Sequence, residues 1–214
     1  MPRDLFRHAG ALLREKWLLW LCLAIIAAAG AVALFPRDAA WERVCTVADK
    51  HLAGEISCWG DFPRGWLILL AGLGALGWRL RKRHWRVVAF AALLAGALAG
   101  AQVQIISSLT GRPRPSMEVA DCLHGPTLDR SYKSFPSAHT TCAFAVATVL
   151  VVMLPALGWP CLLAAAVIGW SRMALTAHYP SDVWTGMWFG IINGLIFGLA
   201  ARRICLKTAE TPAA

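Results

Sequence analysis

The chain has 214 residues, 58% of them hydrophobic, with a mean hydropathy of +0.56. That length suits one or at most two domains, and that apolar content excludes an ordinary soluble domain. A formal net charge of +9 raises nucleic acid as a partner, but the basic residues fall in short clusters between apolar runs, and membrane topology accounts for them without it.

Residues 1–16 come first. Leu5, Ala9, Leu12 and Leu13 stand at helical spacing among basic residues, as in a helix lying in a membrane interface or a plain lead-in to the first span. Six apolar runs follow, at 17–35, 65–78, 87–109, 137–157, 158–177 and 183–201, most of them close to the ~20 residues that cross a bilayer. The first is longer than a usual signal-peptide core and is read as a retained helix. The second is short, so it is expected to draw in Phe62 and Pro63 or to pack against its neighbours. The predicted fold is all-α: an integral membrane bundle of six transmembrane helices over residues 17–201, with a segment 1–16 before it and a tail 202–214 after it.

Charge sets the orientation. Residues 1–16, the stretch "RLRKRHWR" at 79–86 and the tail after 201 together carry 12 of the 21 Lys and Arg. The other nine lie in the alternate segments, together with nine of the 12 acidic residues. The basic excess marks the cytoplasmic face, so both termini are expected inside and the segments 36–64, 110–135 and 171–182 outside. Trp17, Trp66, Trp78 and Trp184 near span ends fit interfacial anchors. The Ala- and Arg-rich composition and brief loops point to a bacterial inner membrane.

Seven cysteines are scattered, and no Cys/His spacing suggests a metal. Cys45, Cys58 and Cys122 fall in outer segments, where a disulfide between Cys45 and Cys58 is the most plausible pairing.

Polar residues gather at the outer helix ends: "SSLTGRPRP" at 107–115, "SFPSAHTT" at 134–141 and "SRMALTAHYPSD" at 171–182. Pro136 and Pro180 each precede a Ser at a predicted helix start, where free N–H groups and the helix dipole favour an anion. Arg112, Arg114 and Arg172 add planar, permanently charged donors suited to phosphate oxygens. Arg172 lies inside an apolar run, so it needs a partner, either Asp182 or a bound anion. His178 and Asp182 are four residues apart, close enough for the carboxylate to orient the ring and leave the other nitrogen as a nucleophile. His139 is a second imidazole on that face, suited to protonating a leaving oxygen.

These stretches resemble the type 2 phosphatidic acid phosphatase superfamily, membrane relatives of the vanadium haloperoxidases, whose pattern is K-x6-RP, PSGH and SR-x5-H-x3-D. The chain reads "GRPRP" at 111–115, "PSAH" at 136–139 and "SRMALTAHYPSD" at 171–182, in that order. The resemblance implies that His178 attacks phosphorus, Asp182 orients it and His139 protonates the leaving group. It implies that Arg114, Ser137 and Arg172 hold the phosphate, and that no metal or other cofactor takes part. Ser107 stands where the family has lysine, and Arg112 or Lys133 is expected to supply the missing charge.

The function so implied is hydrolysis of a phosphomonoester or diphosphate on a membrane lipid at the extracytoplasmic surface. Undecaprenyl diphosphate, phosphatidylglycerophosphate, phosphatidic acid and lipid A phosphates are the candidate substrates. A lipid-to-lipid phosphotransferase and a non-enzymatic phospholipid-binding or transport relative stand as alternatives.

Overall fold

The computed structural model describes residues 1–45, 50–117, 119 and 122–210, and among these it has helices and no strand. The α-helices are α1 (Pro2–Glu15), α2 (Trp17–Leu34), α3 (Asp38–Cys45), α4 (Lys50–Trp59), α5 (Leu67–Arg79), α6 (Arg83–Thr110), α7 (Ala138–Met153), α8 (Pro155–Ala174) and α9 (Pro180–Glu210). The expected tail beyond 210, and residues 46–49, 118, 120 and 121 of the expected outer segments, lie outside the described residues.

Helices α2 and α5 to α9 coincide with the six apolar runs. Four described stretches are long and apolar enough to cross a membrane: Trp17–Ala40, Arg83–Met117, Pro155–Ala174 and Pro180–Lys207. α5 and α7, at 13 and 16 residues, are shorter. For α7 the reason is its position. Every residue from Thr140 to Leu150 is buried, with α6, α8 and α9 packed around it, so its length answers to neighbouring helices and not to lipid.

The sequence of α9 explains how closely it meets α7. Gly186, Gly190, Gly194 and Gly198 recur every four residues on the contact face. A Cβ on Gly190 would stand 2.5 Å from the Thr141 carbonyl oxygen, and one on Gly194 2.5 Å from Thr148 Cβ. Only hydrogen fits there. Lipid tails are as apolar as the helices, so association rests on this close backbone packing. The fully buried Ala91, Ala92, Ala95 and Ala99 provide the same small-residue surface on α6.

The outward surface is of the opposite kind. Trp17, Leu18, Leu21, Ile25 and Val32 of α2 are exposed, an apolar face suited to hydrocarbon. α1 is amphipathic, burying Leu5, Ala9 and Leu12 against the bundle while Leu13 stays exposed. The expected Cys45–Cys58 disulfide is not formed. Cys45 closes α3, Cys58 lies in the last turn of α4, and the Cys58 sulfur accepts a hydrogen bond from Arg64.

One turn matters for the site. α6 ends at Gly111, whose φ of +60° is left-handed and whose N–H bonds the Ser107 carbonyl. A Cβ there would lie 2.0 Å from the Gly125 carbonyl oxygen, so glycine is required twice over. The reversal sends Arg112 into the core, where it is fully buried.

Candidate active site

The loop after α6, the start of α7 and the turn from α8 to α9 meet at one end of the bundle. They enclose a cavity of about 580 Å3 lined by His178, His139, Arg114, Arg130 and Lys133, with Asp61, Gln104 and Ser107 beside them.

His178 is buried, and its Nδ1 lies 2.7 Å from the Ser134 carbonyl oxygen. A carbonyl only accepts, so that nitrogen carries the proton and Nε2 keeps its lone pair. The Asp182 carboxylate is 3.7 Å from Nδ1, beyond a hydrogen bond. The backbone carbonyl therefore does the orienting that the sequence assigned to Asp182, and the carboxylate acts on the ring through charge. Burial holds the His178 ring below an ordinary histidine's basicity, against the opposing pull of Asp182.

Asp182 sits three residues into α9, and its Oδ2 accepts from the Tyr179 N–H at 2.8 Å. This is the reciprocal half of a capping box, with Pro180 opening the helix, so the local run "YPSD" fixes the carboxylate by helix geometry alone. Its remaining bonds are long-range. Oδ2 also accepts from Ser134 Oγ at 2.5 Å, and Oδ1 from Arg112 Nη1 at 2.5 Å.

Arg112 corrects the sequence reading. Expected on the phosphate, it is fully buried and does not line the cavity. Its guanidinium bonds Asp182, Ser181 Oγ at 2.7 Å and Asp38 Oδ2 at 2.8 Å, and lies between the Phe35 and Tyr179 rings, 4.2 Å from each centroid. A fork of donors between two carboxylates and two aromatic faces is a locking role for which only arginine has the shape. Asp38 also accepts from the Ser181 N–H at 2.9 Å and from the Ser181 hydroxyl, capping α9 from outside.

Arg172 likewise does not pair with Asp182. Its Nη1 donates to Ser57 Oγ of α4 at 2.5 Å. Its Nε, like that of Arg114, is buried and has no acceptor among the described residues. Ser137 is buried at the start of α7; its hydroxyl accepts from Thr140 Oγ1 at 3.0 Å and its N–H bonds the Asp182 carbonyl at 3.1 Å. It does not line the cavity, whereas Ala138 and His139, the first two residues of α7, do. Lys133 and Arg114 line it, and Ser107 is there at the position where the family has lysine.

Sequence reasoning missed Ser134, Asp38, Arg130 and Asp61. Ser134 stood inside a quoted stretch, but the acceptor is its backbone carbonyl, which no side-chain pattern reveals. Asp38 contacts partners 74 and 143 positions away and has no local signature.

Residues 86–204 match the PAP2 superfamily. Decaprenylphosphoryl-5-phosphoribose phosphatase of Mycobacterium tuberculosis is 37% identical over 146 residues, 67% of this chain and 76% of that protein. Undecaprenyl-diphosphatase BcrC of Bacillus subtilis is 33% identical over 93 residues, 44% of this chain and 47% of that one. Among solved structures, the transmembrane PAP2 type phosphatidylglycerolphosphate phosphatase of Bacillus subtilis shares the fold with a TM-score of 0.64 and 23% identity, over 88% of this chain and 94% of that one.

Proposed function

The chain belongs to the PAP2 superfamily, and from that premise we propose that it is a multi-pass membrane phosphatase that removes phosphate from a lipid through a phosphohistidine on His178. One observation carries the reading: His178, with Nδ1 held and Nε2 unbonded among the described residues, shares a cavity with a second histidine and three cations.

The roles follow from position. His178 Nε2 attacks phosphorus as the bond to the leaving oxygen breaks, and His139 gives that oxygen a proton. Asp182 offsets the positive charge that develops on the His178 ring. Arg114, Arg130 and Lys133 neutralise the phosphoryl oxygens, with the free N–H groups at the start of α7 adding fixed dipoles. Lys133 and Arg130 supply the charge that Ser107 lacks. Arg172 and Ser137 border this group, Arg172 with its unpaired Nε and Ser137 by fixing the α7 start. In the second half-reaction water gives a proton to the now neutral His139 and attacks phosphorus, releasing His178.

The substrate we favour is a phosphate monoester or diphosphate on a polyprenyl carrier, because both relatives above are named for polyprenyl-linked phosphates. Phosphatidylglycerophosphate, phosphatidic acid and lipid A phosphates remain in the panel to be tested. A mostly apolar crevice of about 640 Å3, lined by residues of α2, α6 and α9, shares Pro136 with the catalytic cavity and suits a tail that stays in the bilayer. The charge distribution supports six spans, cytoplasmic termini and an active site facing outward from a bacterial inner membrane.

The deciding experiment measures phosphate release by detergent-purified protein from the four lipid classes, with His178→Ala in parallel. Release from one class that disappears in the variant is the expected result. No release from any class by folded, lipid-bound wild type, or release that survives in the variant, would retire this reading.

A further inference from the structure

A carboxylate in a phosphate cavity needs an explanation, because it repels the substrate. Asp61 is the single acidic residue lining the cavity among the described residues. It lies outside the family-matched span, and its side chain is 43% exposed. Its Oδ1 stands 3.5 Å from His139 Nε2.

That contact is built by packing. Asp61 opens the short helical turn Phe62–Trp66, between α4 and α5. The next side chain, Phe62, lies where a Cβ on Gly96 of α6 would be, 2.4 Å from its ring carbon. On the other side, a Cβ on Gly60 would meet the Ile168 side chain of α8 at 2.6 Å. Two glycines thus let the corner sink between α6 and α8 and bring Asp61 to His139.

Among the described residues, the other charged groups around His139 are cationic. Arg114 follows α6, Arg172 lies on α8, and Arg130 and Lys133 lie on the loop before α7, while the neutral, titratable His178 ring lies on the turn before α9. Burial of the ring opposes a proton on His139 first, and each of these cations adds to that. Asp61 is the counterweight.

We propose that Asp61 is a positioning residue that favours the protonated form of His139 as the acid for the leaving oxygen. The separation suits that task. At 3.5 Å the carboxylate attracts the imidazolium without a tight hydrogen bond, so the Nε2 proton stays deliverable. In the step it serves, the His178 Nε2–P bond forms, the P–O bond breaks, its electron pair stays on the leaving oxygen, and the His139 proton goes to that oxygen. This inference rests on the phosphohistidine reading of the site.

The test compares wild type with Asp61→Asn and Asp61→Glu, full length in detergent. With an alkyl phosphomonoester lipid, whose alkoxide must be protonated, Asp61→Asn is expected to lower kcat by about a hundredfold, in the range of lost general acid catalysis. Its alkaline limb should move about one pH unit lower, and Asp61→Glu should restore part of both. With p-nitrophenyl phosphate, whose phenolate leaves unprotonated, the loss should be about tenfold or less. An equal loss on both substrates with an unmoved limb would overturn the proposal, since that is what structural damage does. A second readout needs no turnover: in protein with 15N-labelled histidine, the His139 resonance, assigned with His139→Gln, should titrate about one pH unit lower in Asp61→Asn. An unchanged titration overturns Asp61 even if the wild type proves inactive, whereas inactivity with a shifted titration retires the phosphatase reading alone.

Discussion

Replacing Arg112 separates a locking residue from a substrate ligand. Its guanidinium holds Asp38 and Asp182, which are 1% and 0% exposed. In Arg112→Ala both carboxylates remain buried without their cation, an arrangement that costs about 3–5 kcal/mol when one partner of a buried pair is removed. The two ring contacts go as well, each worth about 1–2 kcal/mol when desolvated. A loss of at least about 4 kcal/mol is a large fraction of the about 5–15 kcal/mol that holds a typical domain folded. The assay is unfolding in detergent followed by tryptophan fluorescence, with kcat and KM measured on whatever folds. Arg112→Lys, with the charge but not the fork or the flat face, should fall between wild type and Arg112→Ala. Adding Asp38→Asn to Arg112→Ala removes one orphaned charge and should recover part of the loss. If Arg112→Ala stayed within about 1 kcal/mol of wild type while KM alone rose, the buried lock would be the wrong description and a phosphate contact the right one.

The acid limb of kcat/KM offers a check on His178. Attack requires the neutral ring, so activity should hold as pH falls until the ring protonates, and burial moves that point below the ordinary 6.5; a midpoint above 6.5 would contradict it. Arg114→Gln removes a cavity donor with an otherwise unpaired Nε and should lower kcat by about 10²–10³ in a phosphate-release assay. Lys133→Gln, at a half-buried loop position, should lower kcat/KM, and more so at low salt. Gly190→Ala forces a methyl to 2.5 Å from the Thr141 carbonyl oxygen and should cost about 1–3 kcal/mol, read as a lower unfolding midpoint.

Much of this protein is legible in its sequence because the information is local. Apolar runs of bilayer length placed α2, α6, α8 and α9, since a chain in lipid must satisfy its own backbone and helices do so within one segment. The run "HYPSD" held both His178 and the capping carboxylate of Asp182, because four residues span one helical turn. The gathering of His139, His178, Arg114 and Lys133 at one end followed from counting spans.

Tertiary structure decided which charge meets which. The sequence offered Arg172 as the partner of Asp182 and put Arg112 on the phosphate. The left-handed turn at Gly111 brought Arg112 to Asp182 instead and left Arg172 to Ser57. The Ser134 carbonyl took the orienting bond to His178 because the chain before α7 passes that close, and Asp38 and Asp61 reached the site from a part of the chain with no motif. Coulomb and hydrogen-bond partners are chosen by distance in space, and in a bundle that distance is set by where small residues let helices sink together, far along the chain from the groups they join.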